Sequence, residues 1–240
     1  MFQSDLFPAH RQSQAVPLAC AIGVKITERL ASGRHLTRAE ISALFAGETG
    51  VLDWGSAWTI DDYNNAIEIG SLLWLRESSR IDLTTGFHEA EARFDWLEAA
   101  LPPRHVRSEG QIELQQFSTP PILAWLLAKA AALSSRDTLL EPSAGNGALA
   151  IWAYGQAASL TLNEIDAGRR GGLAHIFPKA AISSHDGELI ADLHCGPIPS
   201  VVLMNPPFAR SEERGSDGGT ALRHLRSAFR ACVCGGRIVA

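Results

Sequence analysis

From residue 116 onward the chain carries five short apolar runs, near 138–142, 160–164, 180–184, 200–204 and 236–240, separated by stretches long enough for a helix. A helical bundle cannot produce that alternation. Strand and helix in regular turn imply a parallel sheet with helices on both faces, and such sheets bind ligands at the carboxyl ends of their strands. The expected fold class is α/β, a Rossmann-like parallel sheet. A helix over about 120–133 opens it, with proline in the first turn, where a missing N–H does no harm.

The polar residues that follow these runs are the candidate site. The first run ends in Glu141-Pro142-Ser143-Ala144-Gly145-Asn146-Gly147 and leads into a helix-like stretch over 148–154. A glycine loop between strand and helix lets backbone amides approach a ligand and aims a helix N-terminus at it. Glu164 closes the second run, nineteen positions after Gly145, where a carboxylate can accept both hydroxyls of a ribose. Up to this point the pattern fits a dinucleotide enzyme as well as a nucleoside-based methyl donor.

The fourth run, Val201 to Met204, decides between them, because it ends in Asn205-Pro206-Pro207-Phe208. An exocyclic amine on adenine is a poor nucleophile, since its lone pair is delocalised into the ring. An Asn oxygen and the Pro206 carbonyl can hold both amine hydrogens. Consecutive prolines fix the backbone and remove competing donors, and Phe208 offers a stacking face. The tetrapeptide points to methyl transfer onto a planar nitrogen.

With these motifs in this order, residues 116–240 resemble the class I S-adenosylmethionine-dependent methyltransferases, in particular the amino-group branch that makes N6-methyladenine in DNA. The resemblance implies that Phe117 and Thr119, in Phe117-Ser118-Thr119-Pro120, lie over the methionine part of the cofactor. Glu141, Pro142, Ala144, Gly145 and Gly147 belong to the cofactor loop, Glu164 is the ribose ligand, and Asp186 accepts from the cofactor's adenine amine. Asn205, Pro206, Pro207 and Phe208 form the catalytic tetrapeptide, and no metal is required. The implied substrate is adenine in DNA; RNA adenine and protein glutamine offer planar nitrogens too. The glycine loop together with Gln116 to Pro120 is also similar to the methyltransferase-like region that precedes a helicase in bacterial and phage strawberry-notch-like proteins. That likeness implies a helicase-type domain or partner, with a non-catalytic S-adenosylmethionine-fold module as the alternative to an enzyme. The last run corresponds to the family's fifth strand, so the sheet is expected to be truncated there.

The first half reads as helices without a catalytic signature, and a boundary is expected near residue 110, after a linker over 102–110. One helix is expected over 15–31, with Leu18, Ile22, Ile26 and Leu30 on one face. A second starts at Thr37, boxed by Glu40, and stops at Gly47. A third runs from about Asp61 to Glu77 and a fourth over about 88–100. Trp54, Trp58, Trp74 and Trp96 read as core.

The net charge of −5 is unusual for a protein that binds nucleic acid. The excess acid lies in residues 1–115, at −6 against +1 for the remainder, and Arg210, Arg214, Arg223, Arg226, Arg230 and Arg237 border the tetrapeptide. Arg210 and Arg214, placed in a loop, are candidates for phosphate contact. Cys20, Cys195, Cys232 and Cys234 form no metal-binding spacing, and the thiols are expected to be buried or reduced. With no long apolar run and a polar N-terminus, no membrane span and a cytoplasmic location are expected.

Overall fold

The computed structural model describes residues 16–51, 55, 57–103, 118–207, 210–212, 215–217 and 219–240. Among the described residues four helices come first: α1 (Leu18–Ala31), α2 (Arg38–Thr49), α3 (Ile60–Glu77) and α4 (Phe87–Ala100). Helices and strands then alternate: α5 (Pro121–Ala130), β1 (Thr138–Glu141), α6 (Ala150–Ala153), β2 (Ser159–Asn163), α7 (Ala167–Ile176), β3 (Ala181–Ser183), α8 (Ile190–Leu193), β4 (Val201–Leu203), β5 (Arg210–Glu212), β6 (Gly215–Asp217), α9 (Thr220–Ala231) and β7 (Arg237–Val239).

Five strands form one parallel sheet in the order β3-β2-β1-β4-β7. Beyond β1 the order reverses toward β4, and the crevice at such a reversal is where open α/β sheets bind ligands. Central strands are buried on both faces, whereas the edge strands β3 and β7 are only partly covered. Successive side chains point to opposite faces. Leu139, Val201 and Leu203 join a large core shared with the N-terminal helices, while Leu140, Val202 and Met204 join a smaller one under α8 and α9.

Asp137 fastens the amino ends of the strands away from the site. It accepts from Ser134 and from the Ser200 hydroxyl and pairs with Arg237 at 2.8 Å. Burial pushes its carboxyl upward, but these partners together bring it down to about 2.

The first helices begin where their capping signals stand. Thr37 and Glu40 form a reciprocal box, and Thr59 with Asp62 forms another that opens α3. The ends differ from expectation in four places. Helix α2 runs through Gly47 and stops at Gly50, whose φ of 75° supplies the left-handed cap. α5 ends at Ala130 rather than near 133. The helix after the glycine loop is a single turn over Ala150–Ala153 instead of 148–154. The stretch after the tetrapeptide is an antiparallel hairpin, β5 against β6, where a loop was expected. Trp58 and Trp74 are buried, and Trp96 stacks on Trp74 with centroids 4.9 Å apart. Trp54 lies outside the described residues. Among those described, no helix is long and apolar enough to cross a membrane.

Candidate functional site

The carboxyl ends of β1, β2, β3 and β4 carry Glu141, Asn163-Glu164, Asp186 and Asn205 respectively. Parallel register keeps these ends level: Glu141 pairs with Leu162, Asn163 with Ser183, and Leu140 with Val202. Asn163, 1% exposed, locks three of the loops together. Its amide donates to the Pro142 and His185 carbonyls, and its oxygen accepts from Ser183 Oγ and the His185 N–H, all at 2.8–2.9 Å. Every one of its hydrogen-bonding positions is used, which fixes the loop after β1 against the loop after β3.

Within the glycine loop the two glycines differ. Gly145 (φ 57°) is open above Cα: among the described residues, a Cβ built there would meet only Arg169 Nη1, at 3.5 Å. Gly147 (φ 93°) lies under Phe177, whose ring would stand 2.3 Å from such a Cβ, so its missing side chain serves packing. The Ala144 amide goes to the Asn163 carbonyl and the Gly147 amide to Ala144. Pro142 and Ala144 are buried beneath the loop's outer surface.

Glu164 accepts from the Gly145 N–H at 2.7 Å through one oxygen and from the Asp166 N–H at 2.8 Å through the other. Each oxygen keeps a lone pair for a ligand donor. Burial raises its carboxyl above the usual range, opposed by those two amides and by the charge of Arg169. Ile165, next in sequence, is 52% exposed and gives the rim an apolar surface. Glu141 lies deeper, at 2% exposure. Burial raises its carboxyl well above the ordinary value, against the Ala150 N–H it accepts from, and the charge of Glu164 adds to the rise. Its Oε2 is enclosed without a partner. Asp186 caps the short turn after β3 by accepting from the Glu188 N–H.

Asn205 is half-buried and donates its side-chain N–H to Thr119 Oγ1 at 3.0 Å. That bond leaves Asn205 Oδ1 as the acceptor end of the amide. Pro206 and Pro207 are half-buried beside it. Phe117, Phe208 and Arg214 lie outside the described residues, and only the backbone of Arg210 is described. Of the remaining arginines in the basic stretch, Arg223 pairs with Glu188, Arg230 with Asp192 and Arg237 with Asp137, while Arg226 is exposed. Cys20 is buried, and desolvation pushes its thiol up to about 11; Cys195 and Cys234 are exposed and Cys232 half-buried.

The N-terminal helices also reach the site, through α3. Asn146, in the middle of the glycine loop, donates to Asn65 at 2.9 Å and to Glu68 at 3.0 Å. Glu68 Oε2 also accepts from Ser118, three residues before α5 opens. Glu68 lies between Ile67 and Ile69 and is buried with them, which only the packing of α3 reveals. A charge in such a place is held by specific partners.

No family model matches the chain, and no curated protein matches it. Solved structures similar to it include TrmN from Thermus thermophilus, at 16% identity and TM-score 0.44 over 75% of this chain and 68% of that one. A Streptococcus mutans protein named as a methyltransferase, solved in complex with SAH, matches at 14% identity and TM-score 0.38, over 51% of this chain and 71% of that one. An rRNA methylase from Streptococcus thermophilus matches at 12% identity and TM-score 0.37, over 51% and 69%.

Proposed function

We propose that the chain is an S-adenosylmethionine-dependent methyltransferase that acts on the exocyclic amine of adenine in DNA. The observation that carries this reading is the placement of Asn205, tied to Thr119, at the end of β4, across the sheet's reversal point from Gly145 and Glu164 at the ends of β1 and β2.

The rim offers candidate partners for the ribose, the adenine and the chain that joins ribose to sulfur. Glu164 has a remaining lone pair on each oxygen for the ribose diol. Ile165 gives an apolar face to the adenine, Asp186 an acceptor for its amine, and the uncovered Cα of Gly145 leaves room for the chain between ribose and sulfur. When bound, the cofactor supplies a methyl group made electrophilic by the sulfonium. Asn205 Oδ1 and the Pro206 carbonyl would accept from the two amine hydrogens and draw the nitrogen's lone pair out of conjugation. Thr119 holds the Asn205 amide in the orientation this needs. The chain's contribution is then positioning, which can supply a large part of a barrier by itself. A helicase-type partner that opens the duplex would suit a reaction on an unstacked base.

Two measurements test the reading. Calorimetric titration of S-adenosylmethionine should show saturable binding that Glu164→Ala weakens by at least about tenfold, the scale of lost hydrogen bonds to a charged group. Absence of binding to the folded wild-type chain sinks it. Asn205→Ala should abolish methyl transfer to DNA while cofactor affinity stays within a few fold of wild type; persistent transfer would remove Asn205 from its role. Methyl groups found on RNA or peptide instead of DNA would correct the substrate and leave the chemistry intact.

A further inference from the structure

We infer that Arg169 is the anion-binding residue of this site and takes the carboxylate at the amino-acid end of S-adenosylmethionine, an inference that rests on the reading just proposed. Arg169 stands in the first turn of α7 and is 6% exposed. Its backbone N–H donates to Asp166 Oδ1. Its guanidinium makes no hydrogen bond or ion pair with any described residue, and Nε is fully enclosed without a partner. A guanidinium carries five N–H donors, and burying such a charge with its donors unsatisfied is strongly unfavourable. Buried arginines are ordinarily paired, so an unpaired one facing a candidate ligand site calls for an occupant.

Two facts fix where that occupant would sit. Nη1 is the atom that a Cβ on Gly145 would meet, so the guanidinium borders the open Cα of the glycine left uncovered in the loop. Glu164 attracts Arg169 through space, but its oxygens already hold the amides of Gly145 and Asp166. Glu164 therefore balances part of the charge without engaging the donors. A planar fork of N–H groups matches a carboxylate through two parallel bonds. The carboxylate of the proposed cofactor lies at its amino-acid end, away from the ribose assigned to Glu164.

Calorimetry on the full chain with three ligands tests the inference: S-adenosylhomocysteine, its decarboxylated analogue, and 5′-methylthioadenosine, which lacks the amino-acid end. Wild type should bind S-adenosylhomocysteine about tenfold to a hundredfold more tightly than the decarboxylated analogue, as expected for a charge-assisted pair. Arg169→Gln should erase that preference while binding 5′-methylthioadenosine as wild type does. Arg169→Lys, which keeps the charge but not the fork, should recover part of it. Equal affinity of wild type for the first two ligands overturns the inference without any variant. So does an Arg169→Gln protein weakened equally toward all three, because Arg169 would then support the loop and not the ligand. Wild type that binds none of the three overturns the S-adenosylmethionine reading, and this inference with it.

Discussion

Glu141 and Glu164 stand at the ends of consecutive strands, β1 and β2, but meet very different demands. Glu164 keeps both oxygens in use and remains at the rim, whereas Glu141 is sealed below it with Oε2 unpartnered. A carboxyl whose folded-state value is raised holds its proton more tightly in the native chain than in the unfolded one. Its contribution to stability is whole below the ordinary value of 4.5 and is lost as pH rises through the folded value. Wild type should therefore lose stability relative to Glu141→Gln as pH increases above 4.5. Urea midpoints for both proteins from pH 4.5 to 8 would show it, and a wild-type-minus-variant difference that stays constant or moves in favour of wild type with rising pH would contradict the assignment. At this scale the sequence was legible where residues punctuate strands. Gly145, Glu164, Asp186 and Asn205 all follow apolar runs, and those runs end at one rim. Glu68 and Arg169 were not legible. A charged residue on a helix reads as a solvated face until tertiary packing shows which side is covered, and both are covered.

Helices α1 and α3 cross almost backbone to backbone. A Cβ on Gly70 would lie 2.6 Å from Ile26 Cγ2, and one on Gly23 would lie 2.6 Å from Ile69 Cγ2. Thr27 Oγ1 seals the crossing by donating to the carbonyls of Gly23 and Gly70. Gly70→Ala should consequently destabilise the chain by about 1–3 kcal/mol, the usual cost of overpacking. Gly47→Ala, in the interior of α2 with nothing within 4 Å, should stabilise it by up to ~1 kcal/mol through helix propensity. Urea unfolding of the two variants reads both effects, and equal shifts would mean that the crossing is looser than described. The pair also shows why helix starts were easier to read than helix ends. Thr37 and Glu40 announce a start three residues apart. The end of α2 required choosing between Gly47 and Gly50, and only the backbone angle at Gly50 distinguishes them. The β5–β6 hairpin had no alternating apolar pattern to reveal it, since Arg210 to Asp217 contains no apolar residue other than glycine.

Across the whole molecule, the parallel sheet followed from the spacing of the apolar runs, but its strand order and the joining of the helical first half to the site did not. One core runs from α1 and α3 to the face of the sheet that carries Leu139 and Val201. The glycine loop is consequently fastened on three sides: to Glu164 through the Gly145 amide, to Asn163 through the Pro142 carbonyl, and to α3 through Asn146. A loop held in this way has little left to rearrange when a ligand arrives. Stopped-flow mixing with S-adenosylmethionine should then show capture as a single encounter, with an observed rate that climbs linearly with ligand concentration and reaches no plateau set by a slow closing step.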